Sequence, residues 1–351
     1  MQLLIDAFRF IALGQLTILL VLLIKSKHKH AYTWTTAFFI ISIWAYLLAY
    51  WEPINDHKWL FFLLFPFSIA LPINFWLFSK STFDDAFRWT PKLQRWVILL
   101  IAIHTCLYLS NAYIWNDLTG DWRILAFLPP YLLSILFALL GIVEAVRNFE
   151  SDLLVQRQRF RYPFIIISAI VILITLASLM ALQHDNLPLE VELLQKLIIL
   201  SLSIYFSYHQ LTLNPNFFGE PKSPESQPQT GARINQDLIN ALTLQIKQEQ
   251  VHRKEGLTIR ELANIMEVKE YKLRSAINQQ LGFKNFNAFI NSYRIEDARV
   301  MLLENKKEAL NITEIAFALG YNSLSPFNKA FKDITGSTPS QFRKDKLKTS
   351  E

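Results

Sequence analysis

Residues 320–343 have the sequence GYNSLSPFNKAFKDITGSTPSQFR, which combines a turn, an amphipathic helix and the start of another helix. Gly320 suits the positive φ that a tight turn often requires. Phe327 and Phe331 stand four residues apart, so they share one face of the predicted helix. Pro339 has the fixed φ that favours the first position of a helix. The stretch therefore predicts the second half of a helix-turn-helix unit, followed by a further helix.

A related pattern occurs about 53 residues upstream. Residues 261–282 correspond to residues 314–336, with an offset of 53 before the turn and 54 after it. In each copy a short helix with a small alanine precedes a turn and a longer helix with one apolar face, which is the helix-turn-helix layout. Between the copies, residues 286–302 carry the continuous apolar stripe of a connecting helix. The first turn has Glu267 where the second has Gly320.

The first 215 residues consist of long apolar runs separated by short charged pieces. A helix needs about 20 mostly apolar residues to cross a bilayer, and lipid cannot satisfy exposed backbone polar groups, so such runs should be helices. The segments that qualify are about 3–24, 32–51, 59–78, 96–115, 124–146, 163–182 and 191–212. We therefore predict an all-α protein, with a seven-helix transmembrane bundle followed by a soluble tandem helix-turn-helix domain.

Basic residues are concentrated in alternate loops between these spans. The loops after spans one, three and five carry Lys25, Lys27, Lys29, Lys80, Arg88, Lys92, Arg95, Arg147, Arg157, Arg159 and Arg161. The other loops carry only Lys58 and Arg123. Because cytoplasmic loops are enriched in Lys and Arg, this asymmetry predicts an outside N-terminus and, after seven crossings, a cytoplasmic C-terminal domain.

The composition shift after the last span predicts three regions. Residues 1–213 form the membrane domain, and residues 214–234, rich in proline and polar residues, form a flexible linker. Residues 235–345 form the soluble domain, with helix-turn-helix units at about 257–281 and 312–335. Residues 216–351 contain 20 Lys and Arg against 16 Asp and Glu. This positive balance permits binding to nucleic acid but does not prove it.

Here the sequence resembles the AraC/XylS family of transcription regulators. Residues 320–343 look like the C-terminal signature of that family, and LGFKNFNAFINSYRIEDAR, residues 281–299, resembles its linker helix. The resemblance covers about residues 235–343. Glu267 departs from it, because the family usually has glycine in the first turn. In the membrane half, FWLFSKSTFDDAFRW, residues 75–89, resembles stretches of membrane-anchored bacterial members.

The resemblance implies an AraC-type domain that binds double-stranded promoter DNA. It favours an activator over a repressor, but the sequence does not decide between the two. Together with the apolar runs and the loop charges, it predicts a multi-pass protein of the bacterial inner membrane with a periplasmic N-terminus. A homodimer and RNA polymerase are further expected partners, besides the lipid bilayer and an unknown signal ligand. The signal itself, the target genes and the oligomeric state cannot be derived from the sequence.

The second helix of each unit is expected to enter the major groove and place its exposed side chains against base edges. Arginine can bind guanine through two hydrogen bonds, and asparagine suits adenine. The expected base contacts are Tyr271, Lys272, Arg274, Ser275, Ser325, Asn328 and Lys329. The expected phosphate contacts, which supply affinity without sequence information, are Lys284, Arg294, Lys332 and Arg343. The alternative for these cationic residues is an ordinary solvated surface charge.

Catalysis is not expected. The single cysteine, Cys106, excludes an intrachain disulfide and a thiolate metal cluster. No HExxH, GxSxG or phosphate-binding glycine-rich motif is present, so we expect no cofactor, no metal ion and no enzyme activity. The alternative function is a transporter or membrane receptor whose DNA-binding tail is a secondary appendage. Transport usually requires charge pairs deep in the membrane or broken helices, and we expect His104, near the middle of a span, to make an interhelical hydrogen bond instead.

Overall fold

A computed structural model describes residues 1–25, 31–49, 51, 53, 57–113, 121–147, 149–154, 157–167, 169–170, 189–213, 229–303 and 310–349. Within this part of the chain the secondary structure is helical, without a β-strand, which confirms the all-α class. The chain divides into two compact units. The first unit is Met1–Arg147 with Arg159–Pro221, and the second is Asn148–Gln158 with Lys222–Glu351.

The first unit contains seven named helices. They are α1 (Gln2–Lys25), α2 (Ala31–Ala49), α3 (Lys58–Ile69), α4 (Leu71–Phe83), α5 (Pro91–Tyr113), α6 (Asp121–Val146) and α7 (Leu189–Leu213). Residues 159–167 are helical as well. Helix α1 packs on α7, α2 packs on α3 and α4, and α4 packs on α6. Gly141 of α6 allows α4 and α6 to pack closely, because a Cβ at this position would lie only 2.3 Å from the ring of Phe75 in α4.

Among the described residues of this unit, five helical segments are long and apolar enough to cross a membrane. They are Gln2–Lys25, Ala31–Ala49, Lys58–Phe83, Pro91–Ser110 and Leu128–Val146, at the positions of the first five predicted spans. Most of the sixth predicted span lies outside the described residues. Helix α7 covers the seventh, but it carries Glu190, Glu192 and Lys196 and is not among the five. The expected number of seven spans is therefore not confirmed.

Polar side chains inside the predicted spans contact each other across helices. Asn74 donates a hydrogen bond to the hydroxyl of Ser42 at 2.7 Å. His104 Nε2 lies 3.0 Å from the carbonyl oxygen of Pro130, which joins α5 to α6 as expected for this histidine. Ion pairs of this unit join Arg9 to Asp6 and Glu192, and Lys80 to Glu144. These contacts satisfy polar groups that lipid could not satisfy.

The second unit contains the C-terminal helices. They are α8 (Gln229–Lys247), α9 (Ile259–Ile265), α10 (Glu270–Leu281), α11 (Phe286–Leu303), α12 (Ile312–Ala318), α13 (Leu324–Thr335) and α14 (Pro339–Thr349), with a short 3₁₀ turn at Val251–Arg253. Helix α8 includes the last six residues of the predicted linker, 229–234. The rest of that linker, residues 214–228, lies outside the described residues.

Two equivalent capping boxes start the first helix of each helix-turn-helix unit. The Thr258 hydroxyl accepts a hydrogen bond from the backbone N–H of Glu261, and the Glu261 carboxylate accepts one from the backbone N–H of Thr258. Asn311 and Glu314 make the same pair of bonds at the start of α12. The bond from the Thr258 backbone lowers the pKa of Glu261. The two units therefore share their helix starts as well as their sequence pattern.

The connecting helix α11 contributes to two separate hydrophobic cores. Its first half packs Phe289 and Ile290 against α8, α9 and α10. Its second half packs Ala298 and Leu302 against α12 and α13, where Phe327 is fully buried. Each helix-turn-helix unit thus has its own core, and one continuous helix fixes the position of the two units relative to each other.

Candidate nucleic-acid interface

The turn of each helix-turn-helix unit has the same backbone conformation. Glu267 has a φ of 53° and Gly320 a φ of 78°, so both occupy the left-handed region. After the first turn, the N–H of Val268 donates to the carbonyl oxygen of Ala263 at 2.9 Å, and the corresponding bond 53 residues later is 3.0 Å. The departure of Glu267 from glycine therefore leaves the turn intact, although a non-glycine residue is strained in this region.

Helix α13 presents a polar face beside its buried phenylalanines. Ser325 and Lys329 are exposed, and Asn328 is partly exposed. Phe327, directly before Asn328, is fully buried and holds this face in place. Lys332 is exposed one turn further along, where it can accompany a backbone phosphate. The predicted contact residues of the second unit thus share one accessible surface.

Helix α10 presents a shorter accessible face. Tyr271 and Lys272 are exposed and Ser275 is partly exposed, beside the fully buried Leu273. Lys284, in the turn after the helix, is exposed too. Three of the four expected base contacts of the first unit are therefore accessible.

Arg274 is the exception, because only 7% of this residue is exposed. Its Nε donates to the carboxylate of Glu270 at 2.8 Å, one turn earlier in α10. Its two Nη atoms donate to the backbone carbonyl oxygens of Asp152 and, at 2.9 Å, of Glu150. In this structure the guanidinium is fully engaged and does not join the accessible face that we expected it to share.

Arg294 also lies away from the surface, with 7% of the residue exposed. Its Nε donates to the carbonyl oxygen of His252 at 2.6 Å and its Nη2 to that of Lys254 at 2.7 Å. The guanidinium stacks 5.0 Å from the ring centre of Tyr321. Burial lowers the pKa of Arg294 and raises the pKa of Tyr321 to about 12. In this structure the guanidinium links the chain at His252 and Lys254, before the first helix-turn-helix unit, to Tyr321 in the turn of the second unit. It is therefore not at the surface, where we predicted a phosphate contact.

Arg343, the remaining expected phosphate contact, is partly buried. Its Nη2 donates to the carbonyl oxygen of Leu310 at 2.8 Å, which ties α14 to the residue before α12. Of the four expected phosphate contacts, the two lysines are thus exposed and the two arginines bind backbone carbonyls. Among the described residues, no group of three or more His, Cys, Asp or Glu side chains could hold a metal ion.

Comparison with known proteins agrees with this geometry. The sequence pattern of a family described as a helix-turn-helix domain matches residues 262–345, which contain α10 and α13, the second helices of the two helix-turn-helix units. The C-terminal domain is an AraC-type helix-turn-helix domain. The match begins inside α9 and ends inside α14. It therefore covers most of the C-terminal compact unit of the chain and none of the compact unit that contains the predicted spans.

Relatives of the AraC-type domain include uncharacterized HTH-type transcriptional regulators of Staphylococcus aureus. Those of strains COL and N315 are 32% identical over 113 residues, which is 32% of this chain and 14% of each relative. The chain thus matches only about a seventh of the length of these relatives. A solved structure, the C-terminal domain of AraT, a response regulator from Geobacillus stearothermophilus, is 30% identical, with a TM-score of 0.27 over 31% of this chain and 84% of that one.

Proposed function

We propose that the protein is a membrane-embedded transcription regulator that binds duplex DNA with both units of its AraC-type domain. The observation that carries the proposal is the tandem arrangement itself. Two helix-turn-helix units present the polar faces of α10 and α13. The described part of the same chain has five helical segments that could cross a membrane.

The connecting helix supports simultaneous insertion of both recognition helices. Helix α11 has 18 residues, which corresponds to a length of about 27 Å at 1.5 Å per residue. Successive major grooves on one face of DNA repeat about every 34 Å. Tyr271 and Lys272 would then contact one groove, and Asn328 and Lys329 the next, with Lys284 and Lys332 positioned for the phosphates.

The membrane location and the signal belong to the same proposal. The excess of Lys and Arg in alternate loops supports a cytoplasmic AraC-type domain, on the side where the DNA is. A signal in the membrane or envelope would act by binding two states of the helical bundle unequally. A promoter is the expected DNA site, a homodimer is the expected assembly and RNA polymerase is the expected protein partner.

Selection of DNA by the full-length protein in lipid nanodiscs tests the proposal. Rounds of selection from random duplexes should enrich one sequence, and Lys329→Ala should weaken its binding by about 1–3 kcal/mol while relaxing the preference at one base position. Lys254→Ala is the matched control, because Lys254 is an exposed lysine that pairs with Glu261. Failure to enrich any sequence, or equal losses for the two variants, would contradict DNA readout by α13.

Sidedness needs a separate measurement. A reporter enzyme that is active only in the cytoplasm, fused after Glu351, should be active in intact cells. A fusion partner that is active only in the periplasm should remain inactive at the same position. The reverse pattern would place the AraC-type domain away from the chromosome and would refute the proposed function.

A further inference from the structure

The segment 149–154, from the loop after the fifth predicted span, lies against the AraC-type domain and belongs to the same compact unit. The N–H of Phe286 donates to the carbonyl oxygen of Ser151 at 2.7 Å, and the N–H of Leu153 donates to that of Lys284 at 3.0 Å. These bonds form an antiparallel bridge with the turn between α10 and α11. The loop therefore adds a short strand-like pairing to the first helix-turn-helix unit.

Side chains of the segment reinforce this pairing. Leu153 is 1% exposed and is part of the hydrophobic core that α8, α9 and α10 form. Asp152 is 0% exposed, and its carboxylate pairs with Arg157, whose Nε lies 2.6 Å away. The side-chain amide of Asn285 also donates to the hydroxyl of Ser151 at 3.0 Å. A buried leucine and a paired buried carboxylate indicate a specific docked conformation.

The docked segment holds the arginine that would bind a base. Both Nη atoms of Arg274 donate to carbonyl oxygens of the segment, those of Glu150 and Asp152. Asn328, the corresponding residue of the second unit, is partly exposed. A bidentate bond to guanine would need the same Nη atoms of Arg274. Docking of the segment and base readout by Arg274 are therefore mutually exclusive.

We propose that residues 149–154 are an autoinhibitory segment that docks on the first helix-turn-helix unit and withholds Arg274 from DNA. This inference rests on the proposed function. The segment follows α6 directly in the sequence and precedes the sixth predicted span, so a change in these helices would act on it through the chain. A signal that favours the undocked state would free the first unit and strengthen DNA binding.

A reversible cross-link tests the inhibitory role in the full-length protein in nanodiscs. Ser151→Cys and Asn285→Cys, combined with Cys106→Ser, place two thiols on facing sides of the antiparallel bridge, where the two native side chains are in hydrogen-bond contact. Oxidation should weaken binding to the selected DNA about tenfold or more, and reduction should restore it. The control with Ser151→Cys and Cys106→Ser alone should not respond. A cross-link that forms without changing DNA binding, or a pair that does not cross-link, would overturn the proposal.

Forced undocking tests the same idea in the opposite direction. Leu153→Glu places a charge in the core, so it should release the segment and tighten DNA binding about tenfold or more. The neighbouring Leu154 is only partly buried, so Leu154→Glu is the matched control and should bind DNA as the unaltered protein does. Hydrogen exchange should show loss of protection at the Phe286 amide in the first variant only. Retained protection, or lost protection with unchanged DNA binding, would contradict autoinhibition.

The two proposals fail in different ways. If no duplex is bound in the oxidised or the reduced state, the proposed function fails and the inhibitory role falls with it. If the oxidised and reduced proteins bind the selected duplex equally well, the inhibitory role alone is refuted, and the AraC-type domain remains a DNA-binding domain.

Discussion

Replacement of Gly320 by alanine should destabilise the AraC-type domain more than the same replacement at Gly336. Both glycines have a backbone in the left-handed region, with φ values of 78° and 81°. A Cβ at Gly320 would lie 2.2 Å from the carbonyl oxygen of Arg253 and 2.9 Å from Nη2 of Arg294. A Cβ at Gly336 would meet no atom within 4 Å. The two positions share the backbone strain and differ in the clash.

The expected magnitudes follow from these two contributions. A left-handed conformation costs a non-glycine residue about 1–2 kcal/mol, and this should be the whole effect of Gly336→Ala. Gly320→Ala adds a contact with backbone that the guanidinium of Arg294 holds in place, and overpacking of this kind costs about 1–3 kcal/mol more. The total for Gly320→Ala is therefore about 2–5 kcal/mol.

Hydrogen exchange on the full-length protein in nanodiscs measures the difference. The opening free energy of the amides in α13 should fall for both variants, and it should fall further for Gly320→Ala by about 1–3 kcal/mol. Equal losses would mean that the 3₁₀ turn at Val251–Arg253 moves aside without cost, and the close approach of the turn to Gly320 would then have no energetic role.

Other expected outcomes concern single residues. Glu267→Gly should raise the opening free energy of α9 by about 0.5–1 kcal/mol in the same exchange experiment. Glycine removes the strain of the left-handed backbone, and this gain is larger than the conformational entropy that glycine loses on folding. Tyr321 has its pKa raised by burial from about 10 to about 12, so its neutral form stabilises the fold below pH 10, and this stability is lost as the pH rises through 12. Tyr321→Phe should therefore flatten the decline in unfolding free energy above pH 10, measured by thermal unfolding against pH. Lys332→Ala should weaken binding to all duplexes alike and reduce the slope of log affinity against log salt by about 0.9, measured by salt titration.

Local patterns were sufficient to predict the helix-turn-helix units. The two copies share the small alanine of the first helix, the position of the turn and the apolar spacing of the second helix, and these signals act over a few residues. The observed helices Ile259–Ile265, Glu270–Leu281, Ile312–Ala318 and Leu324–Thr335 lie within the two predicted units. The start of α8 was missed because its first residues, with a glycine and few apolar side chains, have the composition of a linker.

The role of Arg294 was within reach of the sequence. Ile290, Arg294 and Ala298 follow one another at intervals of four, so they share the buried face of α11. We gave more weight to the charge of Arg294, which suits a phosphate, than to its register, which predicts burial. The partners of this arginine are backbone carbonyl oxygens, and a sequence pattern does not identify these.

The same limit explains why the docked segment was not predicted. The main chain of the segment makes four hydrogen bonds with residues more than 100 positions away, two with main-chain atoms and two with the side chain of Arg274. Almost any side chain in the segment permits such main-chain bonds, so its sequence does not reveal them. The sequence of this loop drew attention only through its arginines, which we used to orient the membrane spans. The structure gives Arg157 an additional role, because it neutralises the buried carboxylate of Asp152.

Replacement of Arg274 by alanine should consequently have two opposite effects on the affinity for DNA. Arg274→Ala removes a contact worth about 1–3 kcal/mol in the DNA complex, but it also removes two hydrogen bonds that favour the docked, inhibited state. In the otherwise unaltered protein the two effects should largely cancel in the measured affinity. Combined with Leu153→Glu, which already abolishes docking, the same substitution should show its full loss. A double-mutant cycle isolates this difference, since independent effects would add. An identical loss in both backgrounds would mean that Arg274 binds DNA without ever being withheld, and a negligible loss in both would mean that it holds the segment and contacts no base.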